Sequence, residues 1–397
     1  MVDQDLSLFY DTAPLFSVTE FATPMPDSDG LWHASSASQW SSTFEQVHEF
    51  AGGYSSIGSG ARPLSLRDLF RHFLDDAMVT QGIELTPLHL RLLLHPLQSL
   101  VCQFRQLLSC FSDNPGARMG KSVTAASTRV RLEEVQAMLQ RWYALADRYM
   151  KNIPMCPLMQ ANLIVFHLVS LNTVTNFPEI ERLARREGVD GTYQQLLWLH
   201  KRCISDVEEA IFHCGQLLRL LRSMPRSIRP PWWAGALYRV ALILWTDSLT
   251  HHGKSRSVMF LIVFHYLLRL FNDTLRLFND TLRLFSDTLR YICLRTGSIS
   301  ISNATLLYSD ALTPSSGLFA PPESSFAVDA LSPDHPLMVR YLTKREGTPM
   351  LTKRDGTQMA IDNPFGVLFH CVDVIAEGVS TRFSDGIRAK LGRLAKG

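Results

Sequence analysis

The chain is expected to be all-α, and three observations carry that expectation. Apolar residues recur at helical spacing, as in Leu90, Leu93, Leu94, Leu97, Val101, Phe104 and Leu108. Helix ends are signed: Pro178 opens a short segment, Glu179 and Glu181 fill its first turn, Arg185 and Arg186 its last, and Gly188 follows. Each placement suits the helix dipole or a left-handed C-cap. The third is the run from Trp232 to Trp245, in which only Arg239 is charged and apolar side chains point all round the helix. Such a helix is enclosed by others, and at about 20 Å it is too short to span a bilayer.

Residues 1–60 read as an irregular arm, punctuated by Pro14, Pro24, Pro26 and Gly52-Gly53, with Phe9, Tyr10, Phe16, Trp32 and Trp40 expected to pack on the body. A helical core is placed at 61–295. Its predicted helices are Leu64 to Met78, Pro87 to Phe111, and one striped by Leu132, Val135, Leu139, Trp142, Ala146 and Tyr149 after a loop at Asp113 to Ser127. Then come a helix from Pro157, the short helix at Pro178, and a long helix from Tyr193 to Arg222 that Pro225 ends. Pro231 suits the first position of the organising helix.

Past Thr250 the pattern changes. The segment 268–290 contains three near-identical heptads, and Leu268, Phe271, Leu275, Phe278, Leu282, Phe285 and Leu289 alternate at three and four. That is a coiled-coil seam on paper, read as one extended amphipathic helix from a tandem duplication, with a homodimer through 268–290 as the alternative. Residues 296–360 are expected to be a linker or loop, Ser/Pro-rich to Pro336 and then holding two similar nonapeptides, Leu342 to Met350 and Leu351 to Met359. Residues 361–397 are expected to form a C-terminal helix on the core, basic through Arg388, Lys390, Arg393 and Lys396.

At 46% hydrophobic and 19% charged, the chain belongs with globular proteins, and a net charge of +2 gives no strong field for nucleic acid or anionic lipid. Seven scattered cysteines without a C-x-x-C pair predict reduced thiols rather than a disulfide framework. No membrane association is expected.

Chemistry is sparse. Gly116 to Ser122 is one residue short of a phosphate-binding loop and lacks the preceding strand. Gly53 to Gly58 misses a nucleophile elbow by one residue. His200, Cys203, His213 and Cys214 cluster in one dimension, but on a continuous helix Cys203 and Cys214 lie ~16 Å apart, too far for one zinc ion. These read as core thiols and histidines, His167 as a bonded core histidine, and His251-His252 as a solvated turn. Arg219, Arg222, Arg226 and Arg229 form the best basic row, read as a helix end leading into a polar loop. Trp232 and Trp233 read as core rather than a ligand pocket. No catalytic, cofactor-binding or metal-binding residue is assigned, and no enzyme activity is expected.

Phe166-His167-Leu168-Val169-Ser170-Leu171-Asn172, Asn176-Phe177-Pro178-Glu179-Ile180-Glu181-Arg182 and Pro230 through Trp245 carry a resemblance to a known family. Leu31 to Ala34, Asp334 to Leu337 and Gly378 to Leu394 add to it. The chain resembles the regulatory middle-homology domain of fungal-specific transcription factors, also called the xylanolytic activator regulatory domain. The resemblance implies an all-α regulatory domain of a nuclear zinc-finger transcription factor that controls RNA polymerase II genes, with the transcription machinery as partner. DNA and zinc would be bound only by an upstream module, since neither a C-x-x-C…H-x-x-x-H finger nor a six-cysteine cluster occurs in this chain. A helical scaffold or dimerisation protein derived from such a factor is the alternative.

Overall fold

The computed structural model describes residues 5, 7–9, 12, 14–26, 29–49, 64–80, 85–110, 123–152, 156–185, 200–251 and 325–396. The heptads at 268–290, both glycine-containing loops, Tyr10, Gly188 and His252 lie outside them.

The architecture is all-α with a small sheet. Its helices are α1 (Ala37–Glu49), α2 (Leu66–Leu74), α3 (Pro87–Ser109), α4 (Val123–Asn152), α5 (Pro157–Val174), α6 (Phe177–Ala184) and α7 (Val207–Ser223). These are followed by α8 (233–251), α9 (Pro336–Lys344), α10 (Pro364–Ala376) and α11 (Arg382–Leu394). Three short strands, β1 (Ser325–Ala327), β2 (Thr348–Thr352) and β3 (Gln358–Ala360), lie in that order across the sheet.

The centre is α5. Apolar on nearly all sides, it packs against α3, α4 and α7, and α3 also packs along α4. By length and composition α5 is the one helix among the described residues able to cross a membrane, yet most of it is buried inside the fold, as a core helix would be. Pro157 stands in its first turn, where a missing N–H costs nothing. At its other end Arg105 of α3 donates to the carbonyl of Asn172 at 2.7 Å and to that of Thr173, satisfying acceptors that have no helical partner. Arg141 of α4 does the same for α2, donating to the carbonyls of Phe73 and Leu74. Trp142 is fully buried, stacks on Phe166 of α5 at 5.3 Å, and donates from Nε1 to the carbonyl of Leu90 at 2.8 Å. One side chain thus joins α3, α4 and α5.

Several expectations are corrected. The long helix expected from Tyr193 to Arg222 lies outside the described residues before His200, and its described part breaks at 204–206. Asp206 accepts from the Glu209 amide at 3.0 Å and opens α7 as its N-cap, while Ile204 bridges back to Thr175. The break lets Ser205 bond the carbonyl of Val174 and hold the α5–α6 corner. α4 begins at Val123, inside the expected loop. Pro231 lies in a turn, and α8 begins two residues later. The arm is not irregular throughout, since it contains α1 and a 3-10 turn at Val18–Glu20. Only part of it packs inward: Leu8 is buried and Phe9 sits 5.7 Å from Trp232, but Trp32 is 87% exposed, and Phe16 and Trp40 are also exposed. The C-terminal helix is two helices, α10 and α11, packed together.

The largest correction concerns the expected linker. Its described part, 325–360, is folded. β1 runs parallel to β2, with Phe326 opposite Pro349, and β2 pairs antiparallel with β3, with Leu351 opposite Met359. The two similar nonapeptides take different structures. In the first, Thr343 and Lys344 end α9, Arg345 adopts the left-handed conformation at φ 55°, and Thr348–Met350 enter β2. In the second, Thr352 ends β2, Asp355 accepts from both the amide and the hydroxyl of Thr357, and Gly356 at φ 82° closes the hairpin. Tertiary context decides between helix end and hairpin for nearly the same string.

This sheet unit is fixed to α7 at close range. An added Cβ on Gly215 would lie 2.6 Å from the Val328 carbonyl oxygen, and Gln216 donates to the Leu331 carbonyl at 2.9 Å. Gly215→Ala is therefore expected to cost about 1–3 kcal/mol through overpacking against backbone. The check is a lower urea midpoint at unchanged slope.

Candidate functional site

The segments that carry the family resemblance meet at one buried charge. Arg239, the lone charge of the run from Trp232 to Trp245, is 2% exposed. It donates to Asn172 Oδ1 of α5 at 3.0 Å and to the Leu8 carbonyl of the arm at 2.7 Å, and its guanidinium lies 4.2 Å from the Phe177 ring centre. A buried charge needs such partners. The signal was in the sequence, a single arginine in an apolar helix. Trp233 and Trp245 are buried as the sequence implies, while Trp232 is half-buried between Phe9 and Arg91. Trp233 lies so close to Gly378 that a Cβ there would stand 2.3 Å from its ring.

The His/Cys cluster is dispersed. His200 Nε2 meets Asp247 Oδ1 at 3.1 Å, and His251 approaches the other oxygen at 3.6 Å. His213 Nδ1 lies 2.8 Å from His167 Nδ1, so one ring donates and the other accepts. Burial, and then the neighbouring His213, hold His167 well below the usual histidine range, which keeps it neutral. Burial pushes the Cys203 thiol up to about 12, and burial likewise raises Cys214 and Cys371, so these are protonated core thiols. Among the described residues, no group of three or more His, Cys, Asp or Glu is arranged to hold a metal ion.

The basic row also separates. Arg219 donates to Gln216 Oε1 at 2.8 Å, Arg229 lies over the Trp233 ring at 5.2 Å, and Arg226 faces solvent. Arg222 turns inward. It pairs with Asp329, donates to the Thr352 carbonyl at 2.8 Å, and donates to His370 Nε2 of α10 at 2.8 Å. Sequence reading missed Asp329 and His370, which lie on segments far from Arg222 along the chain.

His370 accepts from Arg222 only as the neutral imidazole. Burial first, and then the Arg222 cation, lower it to about 4 against an opposing pull from Asp329. The unfolded chain takes up this proton near 6.5, so the stabilisation is complete above that pH and is lost as pH falls towards about 4. His370→Gln keeps an acceptor for Arg222 and removes the titration. It is expected to flatten the decline between pH 6 and 5 by up to about 1.4 kcal/mol per pH unit, measured by urea denaturation at each pH.

A groove opens on the surface between α6, α8 and α11, with a volume of about 340 Å³. Ala184, Leu242, Leu391 and Leu394 give it an apolar wall. Tyr238 donates to Glu181 Oε1 at 2.9 Å, and Lys390 sits 4.4 Å from the Tyr238 ring centre and 3.5 Å from the same carboxylate oxygen. Arg185 reaches the other Glu181 oxygen at 3.4 Å, and Arg393 completes the rim.

Neither a protein-family model nor a solved structure matches the chain. It is 59% identical over its whole length to a transcription factor of Zymoseptoria tritici, of which it covers 36%. It is 47% identical over its whole length to transcription factor 1 of Elsinoe fawcettii, of which it covers 35%. Against transcription factor PfmaH of Pestalotiopsis fici the identity is 33% over 98% of the chain and 34% of that protein. The chain spans about a third of the length of each of these relatives. Along its full length, then, this chain is homologous to a segment of fungal proteins named transcription factors.

Proposed function

We propose that this chain is the helical regulatory domain, of the middle-homology type, of a fungal zinc-finger transcription factor acting on RNA polymerase II genes in the nucleus. The observation that carries the reading is the whole-length similarity, at 59% and 47% identity, to fungal proteins named transcription factors. Those proteins are nearly three times as long, which leaves room for a DNA-reading module beyond the matched segment. No zinc-finger spacing occurs within the 397 residues, and the reading assigns zinc and sequence-specific DNA contact to such a module. Arg239, Arg222 and the His167–His213 pair join helices to one another, a structural use of interior polar groups.

The test fuses the full chain to a heterologous DNA-binding domain upstream of a reporter gene in a fungal host. Reporter output is expected to differ at least about threefold from that of the DNA-binding domain alone, about 0.65 kcal/mol in apparent recruitment. Equal output at equal protein level would remove the regulatory reading.

A further inference from the structure

We infer that the groove between α6, α8 and α11 binds a small organic anion, a carboxylate carried on an apolar body. Its volume of about 340 Å³ falls in the range of small-molecule clefts, about 300–1,000 Å³. Leu242 on α8 and Leu391 on α11 are buried behind the groove, and the half-buried Ala184 and Leu394 present the apolar surface that a ligand body would cover.

The polar side of the groove is unequal in charge. Arg185, Lys390 and Arg393 face a single carboxylate, Glu181, so three cations against one anion leave a surplus of two positive charges. Glu181 is already engaged by the Tyr238 hydroxyl, Arg185 and Lys390. Arg393 makes no ion pair among the described residues, and it stands in the last turn of α11 at the mouth of the groove. A carboxylate placed between Arg393 and Lys390 would gain charge-assisted hydrogen bonds from both, with Lys390 already held in position over the Tyr238 ring. A cationic ligand would meet that surplus, and a neutral one would leave Arg393 unpaired. The inference stands on the chemistry of the groove and not on the transcriptional reading.

The test uses the full chain with 4-phenylbutyrate and its neutral analogue 4-phenylbutyramide, followed by isothermal calorimetry. One 4-phenylbutyrate per chain should bind saturably, with the amide at least about tenfold weaker. Arg393→Glu should weaken 4-phenylbutyrate at least about tenfold with an unchanged circular dichroism spectrum. Arg388→Glu alters the net charge equally on the same helix but lies outside the groove lining, and it should leave the affinity unchanged. Lack of saturable binding up to ~5 mM would overturn the inference. So would equal binding of the amide, unchanged binding to Arg393→Glu, or equal weakening by both variants.

Discussion

Replacing Asp329 with alanine is expected to destabilise the chain by about 3–5 kcal/mol. Its carboxylate is completely buried and accepts three bonds from Thr352, two from the amide at 2.9 and 3.1 Å and one from the hydroxyl at 3.0 Å, besides its pairing with Arg222. Alanine would leave those donors without an acceptor and strand the largely buried Arg222 guanidinium, which is the costly way to break a buried pair. Asp329→Asn keeps an acceptor and should lose about half as much. Urea denaturation checks both, and near-neutral behaviour of Asp329→Ala would mean that the sheet unit does not depend on this junction. Because Arg222 lies on α7 and Thr352 on β2, amide protection of the hairpin should fall with the global stability.

Trp142→Ala is expected to cost a similar amount, about 3–5 kcal/mol, for a different reason. The indole is wholly enclosed, so its removal leaves a cavity among α3, α4 and α5, and the indole N–H bond to the Leu90 carbonyl is lost. Stacking on Phe166 is lost as well. Trp142→Phe restores most of the volume without the donor and should recover more than half of the loss. If the phenylalanine variant is as unstable as the alanine one, the hydrogen bond rather than the volume dominates this site.

Those two residues show what could be read from the chain. Trp142 stands on a helical stripe with Leu139 and Ala146, and periodicity alone places it inside. α5 and α8 are legible for the same reason, since apolar residues on every side leave a helix no face to show to water. Asp329 was not legible. It follows a strand of three residues in a Ser/Pro-rich stretch, and strands so short carry almost no alternation to detect. The nonapeptides make the point directly, as near-identical strings end a helix in one copy and turn a hairpin in the other. The break before α7 was available but overlooked, because Asp206 with Glu209 three residues on is an N-terminal capping pattern.

The candidate site was legible only in part. The sequence singled out Arg239 as an isolated charge and the histidines and cysteines as a row, but linear proximity does not show direction. His200 and His213 turn to different partners, Asp247 and His167, on α8 and α5. Arg222, read as the end of a helix, instead closes a buried junction with segments more than a hundred residues further along. The groove could not be foreseen, since Glu181, Tyr238 and Lys390 converge from three separate helices. Nothing in local spacing encodes that meeting.

The central claim is that this helical body regulates but does not read DNA. Fluorescence anisotropy of the full chain against a pool of labelled duplexes at ~0.15 M salt addresses it most directly. The account predicts weak retention, with a Kd of about 10 μM or more, nearly the same for every sequence and fading steeply as salt rises. Nanomolar binding that singles out one duplex would contradict it, and would place the DNA-reading surface inside these 397 residues.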